Sequence, residues 1–88
     1  MKTYVLLLEG GNYYIGKSKD AENRINSHKN GKGSSWTKLH KMDRVLEVLE
    51  GDVEKETTLK YMKIYGKEKV RGYAWTQVDG KNLPRGLI

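Results

Sequence analysis

Cysteine and phenylalanine are both missing from these 88 residues, and the one proline, Pro84, lies near the end of the chain. Without cysteine there is no disulfide framework, no thiolate metal site and no cysteine nucleophile. A reducing, intracellular setting is therefore permitted. Long apolar runs are also lacking: the longest, Tyr4 to Leu8, falls far short of the ~20 residues that a membrane-spanning helix needs. No signal-peptide pattern opens the chain. The expectation is an intracellular protein with no membrane partner.

What is present is positive charge. Lys and Arg number 17 against 11 Asp and Glu, for a net charge of +6. Hydrophobic residues make up 36% and recur in regular patterns, so the excess belongs to a folded domain and not to a disordered basic tail. A basic folded domain most often meets a polyanion, with nucleic acid the first candidate. Six tyrosines and two tryptophans supply rings with polar tips, suited to a core or to phosphate and base contact. At this length one domain over residues 1–88 is expected, with a marginal core burying about 60% of the unfolded surface.

Lys2 to Glu9 is rich in bulky and β-branched residues and stops at Gly10-Gly11, and Asn12 to Gly16 is a second run of that kind. The pair predicts a hairpin. Val5 to Leu8 is apolar without alternation, which predicts a central strand covered on both faces. Asp20 is placed to cap a helix carrying Ala21, Ile25 and His28 as far as Gly31. Gly31 to Ser35 is expected to be a flexible basic loop and Trp36 to His40 a short helical turn. Arg44 to Leu49 alternates as a third strand ending at Gly51. Asp52 is placed to cap a second helix, with Leu59, Met62 and Tyr65 on one face and Gly66 at its C-cap. After Val70 the pattern fades. The order β-β-α-β-α predicts an α+β fold, a small three-stranded antiparallel sheet flanked by helices.

Five residues combine into a candidate constellation. A hairpin brings Tyr4 and Tyr14 near each other. Arg24 and His28 are four residues apart and share a helix face. Glu54 opens the second long helix. No Ser-His-Asp order, paired-carboxylate motif or P-loop competes with them.

The segments Thr3-Tyr4-Val5 and Tyr14-Ile15-Gly16, then Lys17-Ser18-Lys19-Asp20, Arg24 and His28, resemble the GIY-YIG nuclease superfamily. Trp36-Thr37-Lys38-Leu39-His40-Lys41, Tyr61-Met62-Lys63-Ile64-Tyr65-Gly66 and Val70-Arg71-Gly72 are similar to elements of a compact branch of it. The likeness covers roughly residues 1–75. The first motif reads Thr-Tyr-Val where the name-giving pattern has Gly-Ile-Tyr, and the asparagine many members carry late in the domain has no counterpart in Arg71 to Ala74.

The resemblance implies metal-dependent hydrolysis of a nucleic-acid phosphodiester, most readily in DNA; a basic nucleic-acid-binding module that no longer cuts is the alternative. By the same resemblance Glu54 would bind one divalent cation, Mg²⁺ or else Mn²⁺, since magnesium needs only one or two carboxylates. Arg24 would hold the scissile phosphate with its guanidinium fork. Tyr14, alone or with Tyr4 and His28, would activate and orient water. Lys17, Lys19, His40 and Arg71 are expected as further nucleic-acid contacts. Glu56 points about 200° from Glu54 on a helix, so one of the two faces the site, and Glu54 is chosen because it lies seven residues before Tyr61. No separate recognition module is apparent, so targeting falls to loops, a dimer or a partner protein.

Overall fold

The computed structural model describes residues 1–32 and 35–73. Strand β1 (Lys2–Leu8) turns through a 3₁₀ turn at Glu9–Gly11 into β2 (Asn12–Ser18), pairing antiparallel from Leu8 opposite Asn12 to Lys2 opposite Ser18. Gly10 and Gly11 carry the turn with φ of 73° and 75°, a left-handed conformation that residues with a Cβ avoid. Helices α1 (Ala21–Lys29) and α2 (Ser35–Leu39) follow, then β3 (Met42–Glu50), α3 (Glu54–Tyr65) and β4 (Val70–Gly72). The Asp20 side chain accepts the Asn23 backbone N–H at the start of α1. Gly66, at φ 96°, ends α3.

The sheet order is β3-β1-β2-β4. Val5 to Leu8 therefore runs through the sheet interior, as its unbroken apolar character predicts. The period-two alternation of strands divides the core in two. Tyr4, Leu6, Leu8 and Tyr14 face Ala21 and Trp36 of the α1–α2 layer. Val5 and Ile15 face Tyr61, Met62 and Val70 on the α3 side. Burying each large aliphatic side chain contributes about 1.5–3 kcal/mol, so neither half is dispensable at this size.

Three expectations are corrected. The sheet has four strands and is mixed, because β4 pairs parallel with β2, Tyr14 lying opposite Arg71. Three residues are too few to show a period, and their pairing is made to a strand more than fifty residues away, so the pattern fades in sequence while the ladder continues in space. Gly72 fits there because a Cβ would stand 2.6 Å from the Ile15 carbonyl oxygen and 2.7 Å from Thr58 Oγ1. Second, the N-cap position of α3 is not Asp52, although the Asp52 carboxylate accepts from the Glu54 backbone. That carboxylate also pairs with Lys17 at 2.8 Å, the N-cap is Val53, and Thr3 Oγ1 accepts the Val53 N–H at 3.0 Å. Third, the buried stripe of α3 is Thr57, Thr58, Tyr61 and Met62, with Tyr65 exposed. Of the expected basic loop, Gly33 and Ser34 lie outside the described residues, as does the chain beyond Tyr73.

Candidate active site

Tyr4 and Tyr14 stand on the same face of the hairpin. Tyr4 lies opposite Gly16, and Tyr14 lies opposite Leu6, two positions along. This makes them diagonal neighbours across an antiparallel pair. Gly16 has a packing reason: a Cβ there would sit 2.5 Å from Tyr4 Cζ and against the hydroxyl, so the glycine is the space in which the Tyr4 ring crosses β2. Tyr13 points to the other face, stacked on Tyr65.

Helix α1 brings His28 into contact with both rings, with centroids 5.6 Å from Tyr4 and 4.8 Å from Tyr14. His28 is 1% exposed. Its Nε2 bonds the Tyr4 hydroxyl at 2.8 Å and its Nδ1 bonds Thr37 Oγ1 at 3.0 Å. Burial, and then the nearby Arg24 guanidinium, push the imidazole down to about 4, so it is neutral at pH 7. A neutral imidazole donates from one nitrogen and accepts at the other. Either Tyr4 O–H donates to Nε2 while Nδ1–H donates to Thr37, or Thr37 O–H donates to Nδ1 while Nε2–H donates to Tyr4. The chain can thus run in both directions.

Tyr4 itself is buried, and that burial raises its phenol far above the ordinary value. The Tyr14 phenol adds to the rise and Arg24, hydrogen-bonded to Tyr4, opposes it. Arg24 is exposed on α1, one turn before His28, its charge directed at this centre. The Glu54 carboxylate also raises the Tyr4 phenol, through its charge. Glu54 is the first residue of α3, half-buried, with its carboxyl raised by desolvation; Lys17 lowers it and Asp52 raises it.

Thr3 holds the start of α3 against β1. Fully buried beside Tyr4, it donates to the Gly51 carbonyl at 2.9 Å and accepts from Val53 N–H, pinning the β3–α3 turn to the end of β1. Thr3 and Thr37 are positioning residues that sequence reasoning passed over, although both lie inside segments it singled out.

The remaining expected residues are scattered. Lys17 is exposed and tied to Asp52 next to Glu54, and Lys19 is exposed at the end of the hairpin. His40 lies at the opposite end of the hairpin, where Asn12 Nδ2 donates to its Nδ1 at 3.2 Å and Trp36 meets its ring edge-on. Arg71 is 3% exposed. Its Nη1 donates to the Lys67 and Val70 carbonyls, and its guanidinium lies 4.3 Å from the Trp36 ring centroid. That cation–π contact ties β4, whose Arg71 lies opposite Tyr14 in the ladder, to Trp36 of α2.

Among the described residues no group of three or more His, Cys, Asp or Glu gathers as a ready metal cage, and no helix is long and apolar enough to cross a membrane. No curated protein and no solved structure matches the chain significantly. Residues 1–73 match the model of the GIY-YIG catalytic domain, a span that takes in Tyr4, Tyr14, Arg24, His28 and Glu54. With that match over most of its length, the chain belongs to the GIY-YIG family of nuclease domains.

Proposed function

We propose that this chain is an endonuclease that hydrolyses phosphodiester bonds in DNA with the help of one divalent cation, Mg²⁺ or Mn²⁺, and that Tyr4, Tyr14, Arg24, His28 and Glu54 carry the reaction. The observation that supports this most is the hydrogen-bonded chain from Tyr4 through buried neutral His28 to Thr37, with the charges of Arg24 and Glu54 both felt at Tyr4.

Each part suits a step. Hydrolysis forms a bond from a water oxygen to phosphorus, breaks the bond to the leaving oxygen, and moves a proton from the water. Tyr14, at 8% exposure, meets solvent more than Tyr4 or His28, both at 1%, and is the group placed against that water. The water's proton passes towards Tyr4 and His28: where Tyr4 O–H donates to Nε2, that nitrogen takes the Tyr4 proton as Tyr4 takes the water's. Arg24, exposed and aimed at the same centre, holds the non-bridging oxygens. Lys17 and Lys19 flank the site and take neighbouring phosphates.

The donor set fits a hard cation. Glu54 is the one carboxylate of the cluster not committed to a lysine, since Asp52 is held by Lys17. Half-burial has stripped part of its water, a cost that a bound cation removes. Glu54 would hold the ion together with water and substrate oxygens, as magnesium accepts. When bound, such an ion supplies positive charge to the phosphate oxygens.

The deciding experiment incubates the purified protein with supercoiled plasmid in Mg²⁺ or in EDTA. Nicking in Mg²⁺ that stops in EDTA is expected. A salt-sensitive gel shift with no nicking under either condition overturns the proposal in favour of a binding module.

A further inference from the structure

Three lysines surround an open cavity of about 440 Å³ between α1, α2 and the start of β3: Lys29, Lys38 and Lys41. The same cavity is lined by His28, Thr37 and Met42. His28 and Thr37 are the buried pair joined through Nδ1. Since Tyr4 takes the other ring nitrogen, Nε2, the cavity adjoins the catalytic histidine on the side facing away from Tyr4.

Among the described residues no carboxylate lines this cavity. The two ion pairs among the described residues, Lys2 with Glu50 and Lys17 with Asp52, are made elsewhere. Three ammonium groups around one opening repel one another, and an anion seated among them turns that repulsion into attraction. The lowered basicity of His28 means that the positive charge there comes from the lysines alone. The volume falls in the ~300–1,000 Å³ range of small-ligand sites, which leaves room for a sugar beside its phosphate, with Met42 as an apolar contact.

We propose that this cavity is a second phosphate site, holding a backbone phosphate of the substrate strand beyond the scissile one. The identity of its ligand rests on the nuclease reading; the existence of an anion site does not. A strand so held passes His28 on its Nδ1 side while cleavage takes place on its Nε2 side. The lysines then set the register of the strand against Arg24.

The test measures binding of a labelled DNA duplex in EDTA as a function of salt, so that cleavage plays no part. Lys29→Ala/Lys38→Ala/Lys41→Ala is compared with wild type and with Lys60→Ala/Lys63→Ala on the exposed side of α3. The cavity variant is expected to bind more weakly and to lose about one unit of salt slope for each phosphate contact removed, with the α3 variant losing less. All three lysines are exposed, so the variant should fold, and its melting temperature checks this; Lys38→Ala alone gives a milder version. Equal affinity and slope for the cavity variant and wild type overturn the proposal. So does inorganic phosphate that shifts the His28 ring resonances through these lysines while duplex binding is unchanged, because the site then serves a free anion. If wild type nicks no plasmid and the cavity variant still loses duplex binding, the nuclease reading fails and the phosphate site stands.

Discussion

Tyr4 and Tyr61 are both buried tyrosines whose hydroxyls bond another side chain, one on each face of the same sheet. Burial raises both phenols well above their ordinary value. Their partners differ. Tyr61 donates to the Glu47 carboxylate, which only accepts, so the bond ends there. Tyr4 meets a neutral imidazole whose second nitrogen continues to Thr37, and a cation and a carboxylate act on it from outside. A perturbed phenol therefore does not by itself identify a reactive one. What distinguishes the α1 face is a partner that can pass a proton on, within reach of charges suited to phosphate and metal.

The comparison breaks most sharply at the two charged residues that only one face possesses. Arg24→Ala and Glu54→Gln are each expected to lower the plasmid-nicking rate by about 10²–10³, the usual loss when one group stabilising the transition state is removed. Arg24→Lys should recover little, because an ammonium lacks the bidentate fork. Glu56→Ala, at an exposed position of the same helix turn, should nick like wild type. If Glu56→Ala is dead and Glu54→Gln active, the face of α3 turned to the site has been misassigned. In EDTA, Glu54→Gln should bind DNA at least as tightly as wild type, since a carboxylate that repels phosphate is gone.

The next effect is on stability and belongs to His28. Its folded value of about 4 lies below the 6.5 of an unfolded imidazole. The unfolded chain therefore takes up a proton first as pH falls. The contribution is complete above pH 6.5 and is lost as pH drops from there towards 4, by roughly 3 kcal/mol in total. Urea unfolding of wild type and His28→Gln between pH 8 and pH 4 checks this, because the difference between the two cancels the carboxylates. A difference that stays flat across that range shows that His28 is not held neutral by the fold. Residues on the α3 face should leave the difference unchanged.

The sequence exposed the α1 face more fully than the α3 face, for physical reasons. Tyr4, Tyr14 and the helix pair Arg24 and His28 are placed by local rules: strand alternation, a glycine turn and a four-residue helical step. Those rules act over a few residues and can be read from them. The sheet edge at β4, the Asp52–Lys17 pair and the buried stripe of α3 depend on residues far apart in the chain. Asp52 has the ordinary chemistry of an N-cap, and a lysine 35 residues away shares its carboxylate with the Glu54 backbone. Arg71 looks like a surface cation in sequence, but Trp36 and the backbone carbonyls preceding it take its charge inward. Local pattern reads what local geometry sets; long-range competition for the same polar group leaves no local trace.

Gly16→Ala probes a contact that crosses the hairpin. The added methyl would meet the Tyr4 ring at 2.5 Å from Cζ. Overpacking of this kind typically costs about 1–3 kcal/mol. The ring can relieve it only by moving off β2 and away from His28, so thermal melting should fall and nicking should fall with it. A variant that melts lower and nicks at the wild-type rate would show that the Tyr4–His28 bond is dispensable for the reaction.

The smallest effect comes from deleting the hydroxyl that leads nowhere. Tyr61→Phe removes the bond to Glu47 and keeps the ring packed against Tyr13 and Tyr65. The expected loss is about 1 kcal/mol of stability, that of one hydrogen bond, because Glu47 is half-buried and can recruit water. Nicking should not change. The same deletion at Tyr4 leaves His28 Nε2 with no partner in a buried setting, so Tyr4→Phe should cost activity as well as stability. Measuring melting temperature and nicking for both variants compares the faces by a single atom each. If Tyr61→Phe stops nicking and Tyr4→Phe does not, the proton path lies on the α3 face and the assignment made here is reversed.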